Sequence, residues 1–177
     1  MKFNKVAVLL GMGLAMAAGS ALAASETATD STHVYFDGSI TNAPCSLTPD
    51  SKDQHVAMGS IAAHLLKDGG TSDAHPFHFD LSNCDTATMK TVTVTFGGAA
   101  DPNDSSLLSL GSGQASGAGI AILADGKTVT LGKATAAQNL SDGDNTLTFA
   151  AQLKGDGASA VTPGDFSAVS DVTFTYQ

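Results

Sequence analysis

The chain has 177 residues, of which 42% are hydrophobic and 14% charged; its eight basic residues are all lysines, set against 17 acidic ones for a formal net charge of −9. An acidic chain without arginine lacks the clustered cations that nucleic acid and anionic membrane surfaces require, so neither is expected as a partner. With no tryptophan and only two tyrosines, it is also poorly supplied with flat rings on which a sugar could stack.

Residues 1–23 read as a secretory signal peptide. Lys2 and Lys5 form a positive start, "VAVLLGMGLAMAAG" (6–19) an apolar run, and Ala21-Leu22-Ala23 a small-residue cleavage site. The run is too short to span a membrane and no stop-transfer pattern follows, so no membrane insertion is expected. Loss of Lys2 and Lys5 with this segment moves the formal charge from −9 to −11. The rest is about one domain's worth of chain.

Residues 24–33, "ASETATDSTH", are small and polar with no apolar periodicity, and read as a flexible arm. "HVYFDGSI" (33–40) is strand-like, with Val34 and Phe36 on one face, and residues 40–47 continue extended. "QHVAMGSI" (54–61) alternates Val56 and Met58 and reads as a strand. "AAHLLKDGG" (62–70) reads as one or two helical turns ended by Gly69-Gly70. Strand patterns then follow at 76–84, 90–96, 119–123, 127–131, 146–153 and 171–177, separated by Gly-, Asp- and Pro-rich turns. Asp125-Gly126 between two of them predicts a two-residue hairpin turn. Eight or nine strands with one marginal helix predict an all-β sandwich or barrel.

Cys45 and Cys84, in a chain read as exported, are expected to form one disulfide. Closing a loop of about 40 residues stabilises by roughly 4 kcal/mol through chain entropy. A metal or catalytic thiol would need CxxC spacing or a dedicated base, and neither is visible. A strand-borne metal site would need His-x-His; here His75-Pro76-Phe77-His78 turns the two rings to opposite faces. No G-x-S-x-G elbow is present. The aspartates sit mostly in turns, where they cap their own backbone. No cofactor is expected, and the chain does not read as an enzyme.

The two ends carry more information. "DVTFTYQ" (171–177) alternates Val172, Phe174 and Tyr176 against Thr173 and Thr175 up to the last residue. Chain ends usually fray unless they are tied down. The ordered set "VYFDGSITNAPCSL", "HVAMGSI", "HPFHFDLSNCD" and "DVTFTYQ" resembles the fimbrial (pilus) subunits of the chaperone–usher pathway, of the type 1 pilin kind.

That resemblance implies an immunoglobulin-like sandwich lacking its last strand. Residues 24–36 would be a donor-strand extension and residues 37–177 the sandwich domain. Ala28, Asp30, Thr32, Val34 and Phe36 would form the inward face of the donor. The groove edge would be Val172, Phe174 and Tyr176, with the Gln177 carboxylate held by basic residues of a periplasmic chaperone. The implied partners are that chaperone, an outer-membrane usher and neighbouring pilin subunits, and the implied destination is a surface fimbrium reached through the periplasm. The arm departs from the family pattern at Thr32, where a glycine is common, and at Asp30, which would face the groove. The competing reading is a self-contained secreted β-sandwich that binds a carbohydrate or a protein.

Overall fold

A computed structural model describes residues 29–38, 40–158 and 160–177 of the chain. The signal peptide read at residues 1–23 and the donor position Ala28 lie outside the described residues. The sandwich forms one unit spanning Ile40–Gln177.

Among the described residues the strands are β1 (Ser46–Leu47), β2 (His75–Cys84), β3 (Thr91–Gly97), β4 (Leu108–Ser109), β5 (Ser112–Gly113) and β6 (Ala118–Ala124). They continue with β7 (Lys127–Thr128), β8 (Gln138–Asn139), β9 (Gly143–Gly155), β10 (Phe166–Ser167) and β11 (Asp171–Tyr176). One sheet has the order β1-β2-β9-β6-β4, with β7 also on β6; a second has the order β11-β3-β8; β5 and β10 form a small ribbon. Every pairing between these strands is antiparallel.

Alternation explains how the sheets meet. Successive side chains on a strand point to opposite faces, so period-two sequences have one apolar face to bury. Phe79 and Leu81 of β2, Ile122 of β6, and Leu147 and Phe149 of β9 project from the first sheet onto Val92, Val94 and Phe96 of β3 in the second. Phe96 and Phe149 meet edge to face across the gap, with centroids 5.0 Å apart. The outward threonines of β3, β9 and β11 complete the pattern. A second apolar cluster, built on Met58, Leu66, Leu110, Ala118, Ala151 and Leu153, continues the core along β9. There loops rather than the second sheet cover the first.

The expected disulfide is present between Cys45 and Cys84. Register then defines two ends of the sandwich. One end gathers Cys84, Gly143, Thr91 and Gln177; the other gathers His75, Gly97, Asp171 and Gly155.

The long half-buried strands fall where periodicity predicts them. Asp125 and Gly126 have φ of 49° and 73°, as a two-residue hairpin turn of the expected kind requires. Aspartates cap turns as expected: Asp101 Oδ1 accepts from the Asn103 and Asp104 amides, and Asp85 from the Ala87 amide. Three readings differ from the structure. Residues 33–45 form no strand where described: a single backbone bond, from the Asp85 amide to the Pro44 carbonyl, reaches them and no ladder develops. Residues 54–61 also remain outside the sheets. The helical stretch is a 3-10 segment, Ala63–Gly69, kinked where Asp68 adopts φ 53°. The two-residue strands β4, β5, β8 and β10 carry too few residues to show any periodicity.

Candidate functional site: an open strand edge

β11 is fastened along one edge only. Six consecutive pairs, Asp171↔Gly97 through Tyr176↔Val92, join it to β3, and its other edge has no strand partner among the described residues. Burial records the asymmetry. On β3, Val92, Val94 and Phe96 are 0–1% exposed. On β11, Val172, Phe174 and Tyr176 pack against the same core yet remain only half-buried. Their side chains have a floor and one neighbour, and the other side is open. Phe174 sits edge-on to Phe79 of the opposite sheet. The Tyr176 phenol is pushed above its usual pKa because burial disfavours the phenolate.

Gln177 is held as firmly as the strand before it. Its amide donates to the Thr91 carbonyl at 2.9 Å, and one main-chain carboxylate oxygen accepts from the Lys90 and Thr91 amides at 2.6 and 2.9 Å. The expected groove-edge set, Val172, Phe174, Tyr176 and Gln177, is therefore brought together on one continuous edge.

A second open edge comes from residues 54–61. Val56 is half-buried, Met58 buried and Ile61 half-buried, so the segment presents an apolar face to the core. Yet no backbone hydrogen bond among the described residues joins residues 53–61 to anything. The Gln54 side chain tethers the start of the run by donating to the His78 carbonyl at 2.7 Å. Between this run and residues 161–168 lies a cavity of about 530 Å3 whose lining includes Met58, Leu66, Leu110, Ile120, Leu153 and Phe166. Ala168 is also in the lining, three residues before β11 begins, so the cavity opens off the Asp171 end of that strand.

Val34 and Phe36 are 69% and 91% exposed, and Asp30 and Thr32 are exposed with them. Sequence reasoning missed Leu110, Val161 and Phe166, which lie in Gly- and Ser-rich stretches without periodicity. It did register Val56 and Met58, but as a paired strand.

The arrangement suits one kind of chemistry. Unpaired N–H and C=O groups beside an apolar trough accept an extended peptide as an added strand: backbone bonds supply affinity and alternate side chains supply register. Among the described residues no group of three or more His, Cys, Asp or Glu side chains is placed to hold a metal ion, and the His78 ring lies 3.4 Å from the Asp80 carboxylate at the surface.

The profile of a family described as fimbrial protein matches residues 34–177. The chain belongs to the fimbrial protein family. It is 48% identical over 181 residues to the major MR/P fimbria protein of Proteus mirabilis, with 100% of both chains covered. It is 49% identical over 183 residues to the fimbria A protein of Serratia marcescens, again with 100% of both covered. Among solved structures it is similar to the P pilus rod subunit PapA, with a TM-score of 0.67, 32% identity, and 76% of this chain and 100% of that one covered. It is also similar to the subunit of a chaperone–usher pilus, with a TM-score of 0.70, 31% identity, and 84% and 96% covered. This fimbrial protein is a structural pilin, not an enzyme, and its fold is the incomplete immunoglobulin-like sandwich that the resemblance implies.

Proposed function

We propose that this fimbrial protein polymerises into a surface pilus by donor-strand exchange and so supports adhesion. The observation that carries the reading is the pair of unpaired edges, β11 and residues 54–61, flanking an apolar trough that ends in a cavity. The donor is the arm of another copy, residues 24–36, with Ala28, Asp30, Thr32, Val34 and Phe36 on its inward face. Burying Val34 and Phe36 contributes about 2 kcal/mol each, with a strand of backbone hydrogen bonds in addition. The pairings between the named strands are all antiparallel, and an arm antiparallel to β11 continues that pattern.

An open apolar edge is an aggregation hazard. A periplasmic chaperone strand would cover it first, with the Gln177 end of β11 as its anchor, and an outer-membrane usher would oversee replacement by the next subunit's arm. Export through the periplasm follows from the signal-peptide reading.

The test compares two proteins. One is the chain from residue 24; the other carries a second copy of residues 24–38 joined by a flexible linker after Gln177. The first should be unstable or polymeric and the second a stable monomer. A cooperative, partner-free monomer from the first would sink the reading.

A further inference from the structure

Three large apolar side chains of the sandwich unit stand exposed among the described residues: Leu65 at 48%, Val169 at 81% and Ile40 at 104%. Scattered exposed apolar residues are ordinary, but these three occupy particular places. Leu65 lies in the 3-10 segment Ala63–Gly69, whose Ala63 and Leu66 line the cavity. That segment sits at the far end of β9, where the Gly155 amide donates to the Gly70 carbonyl. Val169 follows Ala168, also in the lining, and precedes Asp171 at the same end of the sandwich. Each is thus next in sequence to a cavity-lining residue, and both lie at the Gly155 and Asp171 end of the sandwich.

Ile40 belongs to the opposite end. It lies four residues ahead of Pro44, whose carbonyl accepts from the Asp85 amide next to the Cys45–Cys84 disulfide. The arm thus leaves the sandwich from the end that holds Cys84 and Gln177, while the cavity opens at the other. A chain of copies can extend indefinitely only if the end from which the arm departs faces the end at which the next groove receives it. An arm antiparallel to β11 meets that condition. Its last inward residue, Phe36, comes to the Asp171 end, and Ile40 follows four residues later, within about 13 Å of extended chain.

We infer that consecutive copies meet end to end, with Ile40 of the donor packed on Leu65 and Val169 of the acceptor. The inference rests on the donor-strand reading and concerns a contact between sandwich bodies beyond the strand. The occupant facing Leu65 and Val169 is a second copy of this chain. The contact fixes how one body sits on the next, so it governs the mechanical order of a fibre rather than whether the arm inserts.

Cross-linking in assembled fibres tests it. Both native cysteines are bonded to each other, so an Ile40→Cys, Val169→Cys double variant offers two new thiols. A short bis-maleimide applied to its fibres should give a ladder of covalent multimers on a denaturing gel. An Ile40→Cys, Thr148→Cys variant, with its second thiol on the exposed outer face of β9, should give none. Normal fibres without a 40/169 ladder, or an equal ladder at 40/148, overturn the inference. In a second measurement, Leu65→Ser, Val169→Ser fibres should form in normal yield and dissociate in denaturant severalfold faster than the unaltered fibres; equal rates count against the contact. A separate control guards the underlying reading: if chains lacking residues 24–36 still join, strand exchange itself fails. If joining needs the arm but no 40/169 ladder forms, only the end-to-end contact fails.

Discussion

Phe174 of β11 sets its ring edge-on against Phe79 of β2, with centroids 5.1 Å apart and planes at 84°. The contact ties the open-edged strand to the opposite sheet. Edge-to-face pairs contribute beyond the area they bury. Phe174→Ala should therefore destabilise the arm-fused monomer by about 3 kcal/mol, and Phe174→Leu by clearly less. Denaturant unfolding of the fused proteins measures both.

Tyr176 offers a spectroscopic view of the same edge. The chain has two tyrosines and no tryptophan, so Tyr35→Phe leaves Tyr176 as the sole phenol reporter. Burial already raises its pKa above 10.0. A raised phenol pKa contributes stability that is full below the unfolded value and lost as pH rises through the folded one. Adding a peptide of residues 24–38, itself carrying Tyr35→Phe, covers the open side of the ring and should move the alkaline titration further up. An unchanged phenolate absorbance curve in saturating peptide would mean that the peptide does not cover this edge.

The disulfide closes a sequence separation of 39 residues. A Cys45→Ser, Cys84→Ser double variant should lose about 2–4 kcal/mol of stability. In the arm-fused monomer this reads directly as a lower denaturant midpoint.

Acid should act on the loop that carries Asp104. The Ser106 hydroxyl and amide donate to Asp104 Oδ1 at 2.6 and 3.0 Å, and Lys154 Nζ approaches Oδ2 at 3.1 Å. These hold the Asp104 carboxyl below its ordinary value, the Ser106 hydroxyl contributing most. A depressed carboxyl pKa gives stability that is present above the unfolded value of 3.8 and lost as pH falls through the lower folded value. Asp104→Asn should flatten the stability curve below that pH while leaving arm-peptide binding untouched.

Asp30 is the odd residue on the inward face of the arm. Setting a carboxylate against an apolar trough costs its hydration. In competition between arm peptides, Asp30→Val should bind about tenfold tighter, equivalent to roughly 1.4 kcal/mol. Equal or weaker binding would place residue 30 outside the trough.

Much of this architecture is written in the period-two segments. "TVTVTFG" and "TLTFAAQL" bury one face and expose the other, and the sequence reveals them as strands for that reason. The same rule found Val56 and Met58 and misjudged their neighbours, because alternation reports which face is buried and says nothing about whether the backbone is paired. Val172, Phe174 and Tyr176 were legible as core residues, but the vacancy beside them was not: a missing strand leaves no residues to read. The resemblance to pilins supplied that part. Leu110 stayed hidden because it reaches the core from an irregular loop, and Phe166 because it does so from a strand of two residues.

The six pairs that bind β11 to β3, extended by the clasp of Gln177 on Lys90 and Thr91, have a consequence for how fast and how tightly a guest strand docks. The receiving edge is already extended and hydrogen-bonded to β3 along its length before any guest arrives. Docking then orders one chain rather than two, so the entropy lost on association is confined to the incoming segment. Affinity for different arms should accordingly track how pre-extended each arm is, and a proline substituted where its fixed backbone angle fits and its missing amide is not needed would strengthen capture without adding a single contact.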